Sequence, residues 1–158
     1  MKKLLLVLAI AMMAIPSLAQ DYTRGKGFFV RPEMYGGFFA NVGYQISPYV
    51  QVSAGPGVLL LLMNNTGNNV SIDIVGTVHG GVRVYTSGKN PWSALIDYHV
   101  GAFRYNRDPI WRHALVGGAS YKDLDFGGGL QMMFGPNAQV FGYGPVVTVG
   151  YNFRFYKH

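Results

Sequence analysis

The chain has 158 residues, a formal net charge of +6, 13% charged and 15% aromatic residues, 22 glycines and no cysteine. That length is one domain's worth, and the lack of cysteine excludes a disulfide framework, a thiolate metal site and a lipoprotein attachment site. So few charges among so many aromatics excludes a disordered chain, and so mild a positive balance points to no nucleic-acid partner.

Residues 1–19 read as a secretory signal peptide. Lys2 and Lys3 make a basic start, Leu4 to Ile15 an apolar stretch, Pro16 breaks it, and Ser17-Leu18-Ala19 supplies small residues for cleavage before Gln20. The apolar stretch is shorter than the roughly 20 residues a spanning helix needs. Losing Lys2 and Lys3 lowers the formal charge from +6 to +4. In the mature domain, 20–158, the longest apolar run is Val58 to Met63, again too short to span as a helix. A secreted, apolar chain then satisfies its backbone in lipid only by closing a β-barrel.

The strands follow in order, marked by alternation at the β period of two. After a polar lead-in, Asp21 to Lys26, Phe28 to Tyr35 carries Phe28, Val30, Pro32 and Met34 on one face and Arg31 and Glu33 on the other. Two charges on one face cannot meet lipid, so that face is the lumen. Pro32 cannot donate to a ladder and predicts a bulge. Gly36-Gly37 predicts a tight turn. Phe38 to Ile46 continues with Phe38, Ala40, Val42, Tyr44 and Ile46 outward, and Asn41, Gly43 and Gln45 inward. Ser47-Pro48 turns the chain, and Tyr49 to Leu62 sets Val50, Val52, Ala54, Val58, Leu60 and Leu62 against Gln51, Ser53, Gly55 and Gly57. Asn64 to Asn69 is turn chemistry.

Val70 to Tyr85 alternates most cleanly, with Ile72, Ile74, Val78, Val82 and Val84 opposed by Asp73, Thr77, His79, Gly81, Arg83 and Tyr85. Ser93 to Tyr105 returns with Ile96, Tyr98 and Val100 outward and Asp97, His99 and Gly101 inward. Asn106 to Arg112 is the most charged loop, and Ala114 to Tyr121 holds too many small residues to assign faces. Leu124 to Phe134 sets Leu124, Phe126, Leu130 and Met132 against Asp123, Asp125, Gly127, Gly129 and Gln131.

Gln139 to Tyr156 is the most diagnostic stretch. Phe141, Tyr143, Pro145, Val147, Val149, Tyr151, Phe153 and Phe155 share one face, and Gly142, Gly144, Val146, Thr148, Gly150, Asn152 and Arg154 the other. Apolar outside, small or polar inside, and aromatic toward the end is the pattern of a transmembrane β-strand. The predicted fold is all-β, an antiparallel up-and-down transmembrane barrel of about eight strands.

On these stretches, with GYQISPYVQVSAGPGV (Gly43 to Val58) and SYKDLDFGGGLQ (Ser120 to Gln131), the mature chain resembles the small eight-stranded outer-membrane barrels of the OmpA-transmembrane-domain and OmpX-like superfamily, in their Bacteroides-type form. The resemblance implies residence in the outer membrane and assembly by the barrel-insertion machinery. That machinery reads a last strand with alternating hydrophobics and a terminal aromatic, here Tyr151, Phe153 and Phe155, although Tyr156, Lys157 and His158 follow.

Some barrels of this size modify lipids. Acyl hydrolysis needs a nucleophile beside a histidine oriented by an acid. None of His79, His99, His113 and His158 has a serine two residues away on its face, which leaves open only a dyad built across strands. Folding Val70–Tyr85 onto Ser93–Tyr105 brings Arg83 opposite Asp97 and His79 beside His99 or Gly101. Two histidines fall short of a metal site's three or four ligands. Gly127-Gly128-Gly129 follows no strand-to-helix turn and has no lysine partner, so it is no phosphate loop. No cofactor, metal or catalytic residue is predicted.

The inward charges, Arg31, Glu33, Asp73, Arg83, Asp97, Asp123, Asp125 and Arg154 with His79 and His99, are expected to form a salt-bridged network, because an eight-strand interior is only wide enough for its side chains. The expected function is therefore a non-enzymatic outer-membrane protein, structural, adhesive or lipid-interacting. The alternatives are a lipid A- or phospholipid-modifying enzyme and a narrow porin-like channel. One partner is expected beyond the assembly machinery, the anionic outer-membrane lipid. Arg104, Arg107 and Arg112 crowd the Asn106–Arg112 loop around Trp111, and arginine's planar fork suits phosphate.

Overall fold

The computed structural model describes residues 23–65, 69–136 and 139–155, with backbone alone over 62–65 and 69–71 of one hairpin. The predicted signal peptide and mature start lie outside these residues. The strands are β1 (Gly27–Tyr35), β2 (Gly37–Ser47), β3 (Val50–Asn65), β4 (Asn69–Tyr85), β5 (Trp92–Tyr105), β6 (Asp108–Tyr121), β7 (Leu124–Phe134), β8 (Val140–Tyr151) and β9 (Phe153–Phe155). From β1 through β8 each pairs antiparallel with the next, and β1 closes the sheet on β8 and β9. The last two share one register on β1, Glu33 opposite Gly150 and Phe28 opposite Phe155, so together they form the eighth stave of a closed up-and-down barrel.

Their separation traces to Pro32. The β1–β2 ladder runs unbroken through Pro32 opposite Ala40, so the expected bulge is absent. The lapse falls on the other side of β1, at Arg31 and Pro32, where proline has no N–H to give. Asn152, left out of the ladder between β8 and β9, donates its N–H to the Asp123 carbonyl at 2.8 Å.

The predicted alternation holds along the wall. Phe28, Val42, Val78, Ile96, Leu130 and Val147 are exposed, while Arg31, Glu33, Asn41, Gln51, Arg83, Asp97 and Asp125 are buried. Three segments differ from expectation. The charged loop shrinks to the two-residue turn Asn106-Arg107, with φ of 50° and 75°, the left-handed pair of a tight hairpin turn. Consequently β6 starts at Asp108, and the glycine- and alanine-rich stretch acquires faces: Ile110, Arg112, Ala114, Val116 and Ser120 point inward, Trp111 and Leu115 outward. Phe141 turns from the expected outward face to pack against the interior, because the β7–β8 register slips between Met133 and Phe134 and leaves Val140 outside. The triple glycine serves close approach, since a Cβ at Gly129 would collide with the Leu115 carbonyl on β6.

One end of the barrel, the near end, carries the described chain termini and the turns after β2, β4 and β6. The far end carries the Gly36 and Asn106-Arg107 turns and the tops of the β3–β4 and β7–β8 hairpins.

Candidate functional site

In a closed sheet, inward side chains at one level meet across the lumen, so register decides which charges become neighbours. Arg83 is the hub. Its Nη1 donates to Asp125 Oδ2 at 2.6 Å, and its Nη2 donates to Glu33 Oε1 at 2.7 Å and to Asp97 Oδ2. Those carboxylates come from β7, β1 and β5, so one guanidinium on β4 ties together four staves.

Glu33 accepts four hydrogen bonds, from Arg31 at 3.0 Å, Asn41 at 2.9 Å, Arg83 at 2.7 Å and the Thr148 hydroxyl at 2.9 Å. That fills the lone-pair sites of a carboxylate. Asp125 also accepts from Tyr85 and Asn152, each at 2.9 Å, and Gln51 links those two at 2.6 and 2.9 Å. His99 Nε2 lies 2.8 Å from Asp97 Oδ1 in an ion-pair position, out of line for a hydrogen bond.

The predicted network therefore exists for Arg31, Glu33, Arg83, Asp97, His99 and Asp125, and the Arg83–Asp97 register is as derived from the sequence. His79 pairs with Gly101, bonds Asn41 at 2.6 Å and stacks on Phe39 with ring centroids 4.0 Å apart. Its ring centroid is 4.7 Å from that of His99. Arg154 and Asp123 form an ion pair with each other at the near mouth, where Arg154 also donates to Gln45 at 2.9 Å. Asp73 stands apart from the network. It sits half-buried toward the far rim, accepting from the Tyr105 hydroxyl at 2.9 Å, because its register carries it beyond the polar level of β4.

Sequence reasoning missed two structural layers. Arg24, assigned to a polar lead-in, is fully buried in the near mouth. Its backbone N–H reaches the Gly88 carbonyl at 2.8 Å, its guanidinium donates to the Ser87 carbonyl at 2.5 Å and to Ser120 Oγ at 2.6 Å, and it lies 3.9 Å from the Tyr85 ring centroid. The far half of the lumen is apolar, built on Tyr35, Phe39, Leu59, Leu61, Phe103, Ile110, Val116 and Val146. The signal was the run Val58 to Met63, apolar on both faces as a strand must be when an apolar outer wall lies on one side and a hydrophobic core on the other.

The predicted lipid-phosphate cluster divides. Arg104, Arg107 and Trp111 are exposed at the far rim, with Trp111 52% exposed. Arg112 is a correction: it is 2% exposed and points into the lumen, since β6 is already under way and its even positions face inward. Its Nε donates to Gln131 at 2.7 Å and its Nη2 to the Tyr35 carbonyl at 2.8 Å, with the guanidinium 4.7 Å from the Tyr35 ring centroid. Among the described residues, no carboxylate lies within ion-pair range of it and no serine hydroxyl donates to a histidine.

The outer wall has the opposite chemistry. Large apolar side chains are exposed on every stave, whereas a soluble monomer rarely exposes more than a few hundred Å² of contiguous apolar surface. Tyr151, Phe153 and Phe155 are 45%, 53% and 64% exposed. The molecule is thus an eight-strand barrel with buried ion pairs inside and apolar residues outside, consistent with a membrane barrel. No protein-family model matches the chain, and neither a characterised protein nor a solved structure matches it.

Proposed function

We propose that this chain is a non-enzymatic integral outer-membrane barrel, with an interior that acts as a structural plug and a far rim that engages anionic lipid. The observation that carries the proposal is the inversion of the usual arrangement, with exposed apolar side chains around the whole wall and charges sealed within. Two aromatic tiers support it. Phe28, Tyr44, Tyr49, Phe153 and Phe155 line the near end from β9 through β1 and β2 to the β2–β3 turn, with Phe38, Trp111 and Tyr143 toward the far end. From Tyr143 to Phe153 the eighth stave climbs about 33 Å, which at a tilt of about 40° is about 25 Å along the barrel axis. That is about the height of an outer-membrane apolar band.

Counting from a periplasmic N-terminus, the near end is periplasmic and the Asn106-Arg107 turn is extracellular. The outward aromatics Tyr151, Phe153 and Phe155 then offer the assembly machinery its last-strand signal, and residues 1–19 supply export. Arg107 favours a functional rim, because it is held at φ 75° where glycine would sit unstrained. With Arg104 and the interface-seeking Trp111 it faces the level of lipid phosphates. The hydrogen-bonded Arg83 hub and the apolar far lumen leave little room for a water path, which weighs against a channel.

The test is extraction and reconstitution. The purified protein is expected to need detergent and to migrate differently on gels before and after boiling, as closed barrels do. A detergent-free soluble monomer would refute membrane residence. For the rim, an Arg104→Gln, Arg107→Gln pair should lower co-purifying anionic lipid, and unchanged lipid would remove the rim's role.

A further inference from the structure

The barrel wall is uneven at its far end. β1 and β2 turn at Gly36, with Tyr35 opposite Thr148 on β8 and Gly37 opposite Leu59 on β3. β3 runs on to Asn65, and β8 begins as far back as Val140. Above the Gly36 turn, the edges of β3 and β8 face each other across a notch as wide as the two strands that stop short. A long backbone bond, from Leu60 N–H to the Gly36 carbonyl at 3.4 Å, ties the notch floor to its β3 side.

The notch is apolar. It forms a cavity of about 340 Å³ lined by Met34, Phe38, Leu60, Ile72, Pro145 and Val147, with Gly36 on its floor. Ile72 and Val147 belong to the exposed outer wall, so the notch opens sideways onto the surface that faces lipid.

Two further observations indicate what occupies it. Pro145 lies in the stretch of β8 that has lost its β1 neighbour, and a proline is tolerated in a strand on just such an edge. Without an N–H there, the edge is poorly suited to add a partner strand and better suited to lie against hydrocarbon, where each bare donor is costly. Behind the floor sits Arg112: a Cβ on Gly36 would lie 3.3 Å from its Nη2. Its hydrogen-bond acceptors, the Gln131 amide and the Tyr35 carbonyl, are neutral, and among the described residues no carboxylate forms a direct ion pair with it.

We propose that the notch seats one anionic lipid of the outer leaflet. Its negative headgroup lies above Gly36, held by the field of Arg112. Its acyl chain descends over Met34 and Phe38 between the Leu60–Ile72 and Pro145–Val147 walls. This rests on the membrane assignment and adds a specific seat to it, distinct from the Arg104–Arg107 rim.

The test uses the full mature chain in nanodiscs of phosphatidylethanolamine and phosphatidylglycerol, with a trace of phosphatidylglycerol carrying an acyl-chain diazirine. After irradiation, adducts are mapped by mass spectrometry. Adducts around Met34, Phe38, Leu60 and Pro145 should exceed those at Ile96 and Leu115, elsewhere on the wall, by severalfold. Arg112→Gln should remove most of that excess, and Val147→Trp, which fills the notch and leaves Arg112 intact, should do the same in a protein that still shifts on heating. Even labelling around the wall overturns the seat, as does an excess that survives both substitutions. Cross-linked dimers joined through these residues would place a second copy there and overturn the lipid. Failure to enter nanodiscs would instead refute the membrane assignment itself, an outcome distinct from even labelling.

Discussion

Removing the Arg83 guanidinium is the sharpest perturbation this interior offers. Arg83→Met keeps much of the stem's volume and strands Glu33, Asp97 and Asp125, each buried and each bound to that guanidinium. Breaking one buried pair costs about 3–5 kcal/mol, and here three carboxylates lose a partner. The loss is not triple, because Glu33 keeps Arg31, Asn41 and Thr148, and Asp125 keeps Tyr85 and Asn152. Asp97 is worst off, left beside His99 alone. The expected cost is therefore about 5 kcal/mol, most of it located at Asp97. Asp97→Asn by itself should cost about 3 kcal/mol, and the double variant should fall short of the sum by about 2 kcal/mol. The measurement is reversible urea unfolding in lipid vesicles, followed by the gel shift between folded and unfolded barrel. Additive costs would refute the hub, and with it the pairing of Arg83 opposite Asp97.

Other substitutions probe the two mouths and the seal. Arg24→Ala should destabilise the barrel by about 2 kcal/mol through lost charge-assisted hydrogen bonds, and it should speed amide exchange in the 86–91 turn; unchanged exchange there would mean that Arg24 does not close the near mouth. Arg107→Gly should relieve the left-handed turn and stabilise by about 1 kcal/mol, while lowering retention of anionic lipid. In planar bilayers the protein should give no steady conductance steps, whereas a continuous open channel would contradict the packed far lumen.

Much of the fold was legible in the residues because a closed barrel with a polar inside and an apolar outside writes its two faces into a period of two. Arg31 and Glu33 on one face and Phe28, Val30 and Met34 on the other fixed inside and outside for β1, and antiparallel hairpin geometry then placed Arg83 against Asp97. Local pattern failed where side chains are too small to distinguish the two faces, as in Gly117, Gly118 and Ala119. It also failed where an irregularity shifts phase, as at Phe141. Arg112 was misplaced for a related reason: whether an arginine lies in a turn or two residues into a strand depends on a turn closing in two residues, and the string NRDPIWR does not encode that length.

What the sequence determined alone is the class of structure, since the alternation of apolar and polar residues is a local consequence of strand geometry. Tertiary structure decided which charges meet across the lumen, that Arg24 is buried in the near mouth and that the far half of the lumen is apolar. It also decided that β1 and β2 stop short of their neighbours. Each of these depends on the stagger of strands around a closed sheet, and stagger is fixed by contacts between residues far apart in the chain, Glu33 with Arg83 and Asp125 with Arg83 among them.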